Sequence, residues 1–392
     1  MKIYLSKPGV ISSAGTDLEE LFASLVSGNQ SGIKQYKTFS GDTFFAARID
    51  GSKLKASTGR LDMKIIKIEE AALEQISENI EKAKSKYGAD RIAVCVGSCD
   101  NGTEFSLAGH KKYFENGTFP EDYTIEMQGA DYVSTFIAEK YGLTGPVCTF
   151  STACSSSAGA IIKAAELIKS GICDAAVTGG IDIASDTTLD GFASLEAISE
   201  KITNPFSKNR SGITLGDGAA FFVLSKEPLE ESVPKICLLG YGESCDAHHM
   251  TSPDPSGAGA KKAIEKALLN AKIKPEEVDY INLHGTGTKF NDSMEAKAVD
   301  AVFGKYKVPC STTKPVTGHT LGAAGALELA ICFAAITNNV LPPQIWDGVF
   351  DEEMPKLNFV NKNDDLHQVK ICLSNSFAFG GANACLVIKK EE

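Results

Sequence analysis

The chain has 392 residues, enough for a large hydrophobic core and for either two domains or one duplicated fold. Its net charge of -11, from 39 basic and 50 acidic side chains, argues against nucleic acid as the main partner. The eleven cysteines include no CxxC pair, which favours reduced thiols over a zinc knuckle or a disulfide framework. The sequence lacks a signal-peptide pattern and any run of about eighteen apolar residues, so we expect a soluble cytoplasmic protein with no membrane span.

The first half alternates predicted strands and helices. Strands are predicted at residues 2–11, 91–96, 174–178 and 219–224. Asp17 is the expected cap of a first helix, and the apolar spacing of residues 63–86 predicts one long amphipathic helix. Residues from about 99 to 145 are polar with scattered aromatic side chains, and we expect this insertion to be a cap rather than part of the core.

Cys154 lies at a predicted strand-to-helix turn. A β-prone run from residue 147 turns at Ala153 and continues as a helix of small residues, which Gly171 ends. This position puts the thiol at the positive end of the helix dipole, where the thiolate is favoured and the cysteine becomes a nucleophile. A small buried cysteine is the ordinary alternative. However, the turn and the following Ser-Ser-Ser-Ala-Gly leave the side chain little to pack against.

The second half repeats the order of the first. A charged, proline-containing junction at 225–235 precedes predicted strands at 236–240 and 280–283 and a helix at 259–271. His319 begins a second small-residue helix, 165 positions after Cys154, and a Gly-Ala strand recurs 164 positions after the first. Two offsets that agree this closely predict a duplicated α/β unit, with halves 1–235 and 236–392. In such a duplication Cys154 and His319 would face one pocket.

The second half also carries the polar residues that a thiol nucleophile needs nearby. His284 ends a predicted buried strand and precedes Gly-Thr-Gly-Thr, while His319 follows a glycine at a helix start, which disfavours the imidazolium. A structural role is the alternative for either histidine. Glu328 lies in an otherwise apolar helix and requires a partner, for which Lys314 is the natural candidate. A solvated loop lysine is the alternative for Lys314.

A glycine-bearing loop at 375–383 contains Phe377 and Phe379. Such a loop can offer a backbone N–H to an oxyanion and swing an aromatic ring across a pocket. A plain tight turn is the alternative.

Four motifs together resemble β-ketoacyl-[acyl carrier protein] synthases of the elongating Cys-His-His type (synthases I and II), members of the thiolase superfamily. They are residues 152–156, 284–288, 314–325 and 375–383, and they follow the family's order over nearly the whole chain. The resemblance implies a thiolase-like, five-layered α-β-α-β-α fold of two duplicated halves. It implies decarboxylative Claisen condensation of an acyl chain with malonyl-[acyl carrier protein], in type II fatty-acid or related polyene or polyketide synthesis.

The resemblance also implies the partners. The acyl and malonyl groups would be carried on the phosphopantetheine of acyl carrier protein, with no bound cofactor and no metal. The family is usually homodimeric, and a heterodimer with a related subunit is the alternative assembly.

The resemblance assigns catalytic roles to Cys154, His284, His319, Lys314 and Glu328. Cys154 would accept the acyl chain as a thioester, with the amides of Cys154 and Phe379 as its oxyanion hole. The two neutral histidines would hold the malonyl thioester carbonyl, and Lys314, paired with Glu328, would tune the charge around them.

Further residues match substrate-binding positions of the family. Those expected to contact phosphopantetheine or the acyl chain are Thr286, Thr288, Thr251, Ser252, Phe192 and Asp100, with Phe379 and Phe377 at the gate. Expected docking residues for the acidic carrier protein are Arg60, Lys64, Lys67, Lys201 and Lys208. Two departures stand out: Ala378 should stiffen the gate, and Asp100, where an apolar residue is usual, favours a short, polar or unsaturated acyl chain.

Other members of the superfamily fit less well. A degradative thiolase would need a second catalytic cysteine, and Cys385 lies in a strand-like run typical of a core. An initiating synthase would have asparagine in place of His319. A non-catalytic partner subunit that sets chain length would lack a working nucleophile, whereas this chain retains Cys154, both histidines and Lys314.

Overall fold

The computed structural model describes residues 1–57, 61–230, 234–362 and 368–391. Its strands are β1 Tyr4–Leu5, β2 Gly9–Ser12, β3 Lys34–Lys37, β4 Thr43–Ala47, β5 Ile92–Gly97, β6 Val147–Phe150, β7 Ala175–Asp182, β8 Leu215–Gly216, β9 Gly218–Ser225, β10 Ile236–Cys245, β11 Tyr280–Asn282, β12 Cys310–Ser311, β13 Ile371–Phe377 and β14 Ala382–Lys390. Its α-helices are α1 Leu18–Ser27, α2 Lys64–Glu74, α3 Ser77–Tyr87, α4 Thr103–Asn116, α5 Tyr132–Tyr141, α6 Ser156–Lys169, α7 Asp186–Ser194, α8 Ala258–Ala271, α9 Lys289–Phe303, α10 Lys314–Thr317 and α11 Ala324–Asn338.

The strands of the two halves have the same order and the same directions. In the described part of the chain, the first half has the order β6-β5-β7-β9-β2 and the second half β12-β11-β13-β14-β10. In each, the first two pairings are parallel and the next two antiparallel. The short strand β1 pairs with both β9 and β10 and so joins the halves. The predicted duplication of an α/β unit is therefore confirmed.

The two small-residue helices, α6 and α11, pack against each other at the centre of the molecule. A Cβ added at Gly325 would come within 2.9 Å of the Cβ of Ala158, so glycine is needed for this close approach. A hydroxyl reinforces the contact, because the amide of Ala326 donates to Oγ of Ser157 at 2.9 Å. Since Cys154 precedes α6 and His319 precedes α11, this packing brings the beginnings of both helices together.

The second of these helices is unusually apolar. Among the described residues, the helical segment Leu321–Asn338 alone is long and apolar enough to cross a membrane by length and composition. Within this protein, 89% of that segment is buried, so its apolar side chains form core contacts.

Three predicted elements differ from the structure. The single helix over 63–86 is wrong: α2 ends at Glu74, because the Gln75 side chain bonds both backbone groups of Val10 and the chain turns there. The strand over 2–11 is two short strands, interrupted at Pro8, which has no amide to donate.

Only the first part of residues 99–145 is cap. Helix α4 buries a single residue, Gly109, whereas α5 buries Val133, Phe136 and Ile137 against the core. Helix α5 is one turn shorter than α4 and lies against β5 and β6. Its apolar face was not recognised in the sequence, because aromatic residues are scattered through the whole insertion.

Candidate active site

Cys154 lies on a tight, strained turn between β6 and α6. The preceding residue, Ala153, has a φ of 52°, a left-handed conformation that an alanine adopts only when its surroundings enforce it. The hydroxyl of Ser156 enforces the turn, because it donates to the carbonyl of Ala153 at 2.6 Å and accepts from the amide of Thr152 at 2.9 Å. The predicted strand-to-helix turn is present.

The thiol of Cys154 is buried, which is contrary to the expectation of a loosely packed side chain. Burial raises the pKa of Cys154 to about 11, although the Lys314 ammonium and the amides of Phe379 and Cys154 lower it. The expected thiolate is therefore disfavoured in the free protein, because desolvation outweighs the Lys314 charge and the two amides. The sulfur lies 3.0 Å from Nε2 of His319, so a thiol–imidazole hydrogen bond replaces the expected ion.

Both predicted histidines share the cavity with Cys154. The rings of His284 and His319 lie edge to face with centroids 5.2 Å apart. One nitrogen of each ring and the Cys154 sulfur all lie within 4.8 Å of one another. Burial, and then the Lys314 charge, hold the pKa of both imidazoles well below the usual value. They are neutral, as expected, but the cause is desolvation and a lysine rather than a helix terminus alone.

Lys314 and Glu328 form a buried ion pair, as the sequence predicted. Lys314 is 1% exposed, which excludes a solvated loop lysine. Its ammonium also donates to the backbone carbonyl of His284, so one cation contacts both the ion-pair partner and the histidine backbone. Burial raises the pKa of Glu328, and Lys314 opposes that rise.

Thiol and imidazole groups are also zinc-ligand types, and the three donor atoms are close enough to share an ion. The Lys314 charge that depresses both imidazole pKa values would repel a dication at the same place. We therefore assign these side chains no metal-binding role.

The 375–383 loop supplies an aromatic wall beside the sulfur. The backbone amides of Phe379 and Cys154 lower the pKa of the Cys154 thiol. The Phe379 ring stacks on Phe192 with centroids 5.8 Å apart, and Phe377 lies against His284. Ala378 is extended (φ -103°), and its amide donates to Ala382, so the backbone before the gate ring is fixed.

Two cavities meet at the Phe192–Phe379 pair. The larger, about 520 Å³, contains Cys154 and both histidines in its lining. The four residues predicted to contact phosphopantetheine also line it: Thr251, Ser252, Thr286 and Thr288. The smaller cavity, about 240 Å³, shares Cys154, Phe192 and Phe379 with the larger one. Cys154 therefore faces both spaces, with the aromatic pair between them.

The smaller cavity has an acidic wall. Asp100 lines it, as predicted, but its carboxylate already accepts hydrogen bonds from the amide of Gly102, Oγ1 of Thr103 and the hydroxyl of Tyr132. Beside it, Asp182 accepts from the amides of Cys99, Asp100 and Gly322 and the hydroxyl of Ser98. Burial, together with the neighbouring Asp100, raises the pKa of Asp182 to about 7.

Two positioning residues were missed in the sequence. Asp182 ties the loop after β5 to the turn before α11, and Glu295 accepts from the amides of His284 and Gly285. Both are fully buried acids. The pattern that identified Glu328, an acid in an apolar segment that requires a partner, would have identified Asp182 at the end of β7. Glu295 gave no such signal, because α9 contains several other charged residues.

The predicted docking lysines are not all available. Lys64 pairs with the buried Asp217, and Lys67 pairs with Asp62. Lys201 and Lys208 are exposed. Arg60 lies outside the described residues. The Lys64 ammonium is bound to a carboxylate in the core, which leaves it less available to a partner than the exposed Lys201 and Lys208.

Family models for "Beta-ketoacyl synthase, N-terminal domain" and "Beta-ketoacyl synthase, C-terminal domain" match residues 9–229 and 236–346. The chain belongs to the β-ketoacyl synthase family. It is 33% identical to 3-oxoacyl-[acyl-carrier-protein] synthase 2 of Coxiella burnetii, over 99% of this chain and 98% of that protein. The Vibrio cholerae enzyme of the same name is 31% identical over 99% of both chains.

Solved structures of ketosynthases have the same fold as this chain. A ketosynthase (ApeO) in complex with its chain length factor (ApeC) from Xenorhabdus doucetiae superposes with a TM-score of 0.91 at 37% identity, covering 100% of this chain and 98% of that one. The ishigamide ketosynthase/chain length factor gives 0.89 at 28% identity, covering 100% and 99%. The predicted thiolase-like fold and the assignment to the condensing acyltransferases are confirmed. Cys385 is buried in β14, as expected for a core residue.

Proposed function

We propose that this chain condenses an acyl group, held on Cys154, with malonyl-[acyl carrier protein] and extends it by two carbons. The observation that carries the proposal is one sulfur and two neutral imidazoles within 4.8 Å, at the junction of two cavities. The larger cavity suits a pantetheine arm, because hydroxyl side chains line it. The smaller one suits the acyl chain attached to Cys154.

Acyl transfer uses the sulfur and two amides. The Cys154 sulfur attacks the thioester carbonyl carbon and gives up its proton, for which Nε2 of His319 lies 3.0 Å away. The tetrahedral oxyanion accepts hydrogen bonds from the amides of Cys154 and Phe379. The carbon–sulfur bond to pantetheine then breaks, and the departing thiolate takes up the proton.

Condensation uses the two imidazoles. Neutral rings can donate N–H to the malonyl thioester oxygen without a competing positive charge, and burial with Lys314 keeps them neutral. The carbon–carbon bond to the carboxylate breaks, CO₂ leaves, and the electron pair forms an enolate held by those N–H groups. The enolate carbon attacks the Cys154 thioester, and the sulfur departs as the leaving group. In this proposal no bound cofactor or metal takes part in the reaction. We also propose that the reaction takes place in the cytoplasm.

The acyl substrate we propose is short, polar or unsaturated. The smaller cavity is about 240 Å³, less than half of the larger one at about 520 Å³. Asp100 and Thr103 form part of its wall, and a saturated chain pressed against a carboxylate gains little from burial. A panel of saturated and unsaturated acyl carrier proteins tests this. Equal or better turnover of long saturated chains would contradict it.

We also propose that a second chain of the same fold covers the cap. The edge strand β6 exposes Val147, and in the insertion Phe114 and Ile125 are 82% and 78% exposed. Solved relatives pair a ketosynthase with a chain length factor. The mass of the purified chain in solution distinguishes the assemblies: a dimer supports the homodimer, and a monomer that dimerises with a related subunit supports the heterodimer.

Intact mass spectrometry tests the reaction. Incubation with acyl carrier protein substrates should add one acyl group, and Cys154→Ala should remove the adduct. The His319→Ala variant should still form an adduct, more slowly, but lose condensation with malonyl-[acyl carrier protein]. An unacylated wild-type protein would instead support the non-catalytic, chain-length-setting subunit.

A further inference from the structure

Helix α7 forms part of the wall of both cavities but buries little of its own surface. Thr188 and Phe192 line the smaller cavity, and Phe192 also lines the larger one. Of the nine residues of α7, all of which the structure describes, only Leu189 is buried. It belongs to a small apolar cluster with Ile213 and Leu215, separate from the main core. Since packing of an apolar face supplies most of the stability of a helix in a protein, α7 requires other contacts to hold its position.

The other side of α7 is held by polar contacts to the β3–β4 hairpin, residues 34–48. Asp186 and Asp190 lie two positions before the two lining residues, which is about 200° around the helix and therefore on the opposite face. Asp186 accepts from the amide of Phe39 at 2.9 Å. Asp190 accepts from the hydroxyls of Thr38 and Ser40 at 2.8 and 3.0 Å. The hairpin therefore holds α7 from the side away from the cavities.

Arg48, directly after β4, connects α7 with the first helix of the cap. Its guanidinium donates to Asp186 at the start of α7 at 3.1 Å and to Glu104 in the first turn of α4 at 2.7 Å. Glu104 follows Thr103, which lines the smaller cavity. The guanidinium also stacks on Tyr36, 4.1 Å from the ring centroid, and the side chain is 14% exposed. A planar guanidinium can hold two carboxylates at once, which a lysine ammonium does poorly.

The hairpin is itself fixed relative to the catalytic residues. Strand β4 pairs with β8. On the far side of β8, the amide of Gly216 donates to the carbonyl of His319 at 3.0 Å, and the amide of His319 donates to the carbonyl of Thr214 at 2.7 Å. The small sheet thus continues to the backbone of His319, and α7 takes its position from this sheet.

We propose that Arg48 is a positioning residue that limits the length of the acyl chain on Cys154. By holding Asp186 and Glu104 it keeps α7 and α4 against the smaller cavity, and the hairpin hydroxyls assist it at α7. Arg48 is not among the residues that line either cavity, so it acts through the two helices. The inference rests on the proposed function, because that function assigns the smaller cavity to the acyl chain.

The test measures a ratio of substrates in Arg48→Met. Acylation of Cys154 is followed by intact mass with two saturated acyl carrier proteins: the longest chain that the wild type accepts, and a chain two carbons longer. We expect kcat/KM for the longer chain, relative to the shorter one, to rise at least about tenfold, because a single methylene in a tight pocket changes kcat/KM by about 10–200-fold. The ratio is independent of the amount of active protein, so a uniform loss of folded protein does not alter it.

Thr38→Val is the milder variant. It keeps the shape of the side chain and every charge, and removes only the hydroxyl that donates to Asp190. The ratio should rise in the same direction, by less than in Arg48→Met. This variant decides the question if Arg48→Met does not fold. A wild-type ratio in Thr38→Val and in any folded Arg48→Met would overturn the inference.

Two further variants separate positioning from general destabilisation. Arg91 likewise bonds a carboxylate, that of Asp174, and two backbone carbonyls. It precedes β5 at the end opposite to Gly97, roughly 20 Å away at about 3.3 Å per residue. Arg91→Met should therefore keep the wild-type ratio. The triple variant Arg48→Met/Glu104→Gln/Asp186→Asn removes the unpaired carboxylates, so it should recover stability but keep the raised ratio. A triple variant with the wild-type ratio, or an Arg91→Met variant with a raised one, would contradict the positioning role.

Alkylation separates this inference from the proposed function. N-alkyl iodoacetamides of increasing alkyl length react with the Cys154 sulfur, which displaces iodide, without carrier protein or condensation. Peptide mass spectrometry gives the rate at Cys154 at fixed pH. A raised ratio of long-chain to short-chain rates in Arg48→Met supports the inference even if carrier protein does not acylate the wild type, a failure that would count against the proposed function alone. An unchanged ratio overturns the inference.

Discussion

Lys314 allows the stability and the chemistry of the site to be separated. In Lys314→Met the side chain keeps its length but loses its charge, so Glu328 is left as a buried carboxyl without its cation, and the His284 carbonyl loses its donor. Breaking a buried ion pair from one side costs about 3–5 kcal/mol of unfolding free energy. We expect a loss of that size.

The double variant Lys314→Met/Glu328→Leu removes the unpaired carboxyl as well. Only the His284 carbonyl then lacks a donor, which costs about 1–3 kcal/mol. The double variant should therefore be about 2 kcal/mol more stable than the single variant. Lys163, on the surface of α6, pairs with Glu166, and Lys163→Met should change stability by less than about 1 kcal/mol.

The pKa of the Cys154 thiol should not change in parallel with the free energy of unfolding. Lys314 lowers the pKa of Cys154 more than Glu328 raises it, so the double variant keeps a thiol of higher pKa than the wild type. Urea unfolding gives the free energies, and iodoacetamide alkylation of Cys154 at fixed pH gives the thiolate fraction. We expect slower alkylation in both variants than in the wild type, because both lack the Lys314 charge that lowers the pKa of Cys154. A double variant with wild-type alkylation, or a single variant with unchanged stability, would refute this reasoning.

Three further outcomes are expected. Because burial raises the pKa of Cys154 to about 11, its alkylation rate should increase about tenfold per pH unit through pH 7–9; a plateau below pH 8 would contradict the raised pKa. Gly97→Ala should unfold at lower urea than Gly191→Ala, because the added Cβ overlaps the backbone of α6 at Ser156 and Ser157, while that at Gly191 meets open space; equal midpoints would show that α6 can shift. Asp182→Asn should lower stability by about 1–3 kcal/mol and change acyl-chain preference, since the amides of Cys99, Asp100 and Gly322 lose a carboxylate acceptor; an unaltered acyl preference in a destabilised variant would make Asp182 purely structural.

Local signals in the sequence were sufficient for the central geometry. The strand-to-helix turn at Cys154 depends on a short segment, and the repeated strand order brings α6 and α11 together. The second helix was placed too early, because α11 begins at Ala324 and not at His319. Glu328 was identifiable because a charged residue in a buried apolar helix requires a partner nearby. Lys314 and Glu328 are 14 positions apart, and their pairing needed no knowledge of the rest of the fold.

The predictions that failed concern features that depend on contacts between distant parts of the chain. The thiolate prediction used the helix terminus alone, whereas the pKa of Cys154 is set mainly by desolvation. Helix α2 ends where Gln75 bonds to Val10, 65 positions earlier, which no periodicity in α2 reveals. Lys64 was not recognised as the partner of Asp217, which is 153 positions away.

In the proposed reaction the histidines act on the malonyl group and the sulfur acts on the acyl group. CO₂ release from malonyl-[acyl carrier protein] by Cys154→Ala tests this most directly, because that variant retains both rings and cannot hold an acyl chain. We expect CO₂ to be released without condensation, and we expect His284→Ala or His319→Ala, added to this variant, to abolish the release. Release that depends on the sulfur, or that survives the loss of both imidazoles, would contradict it.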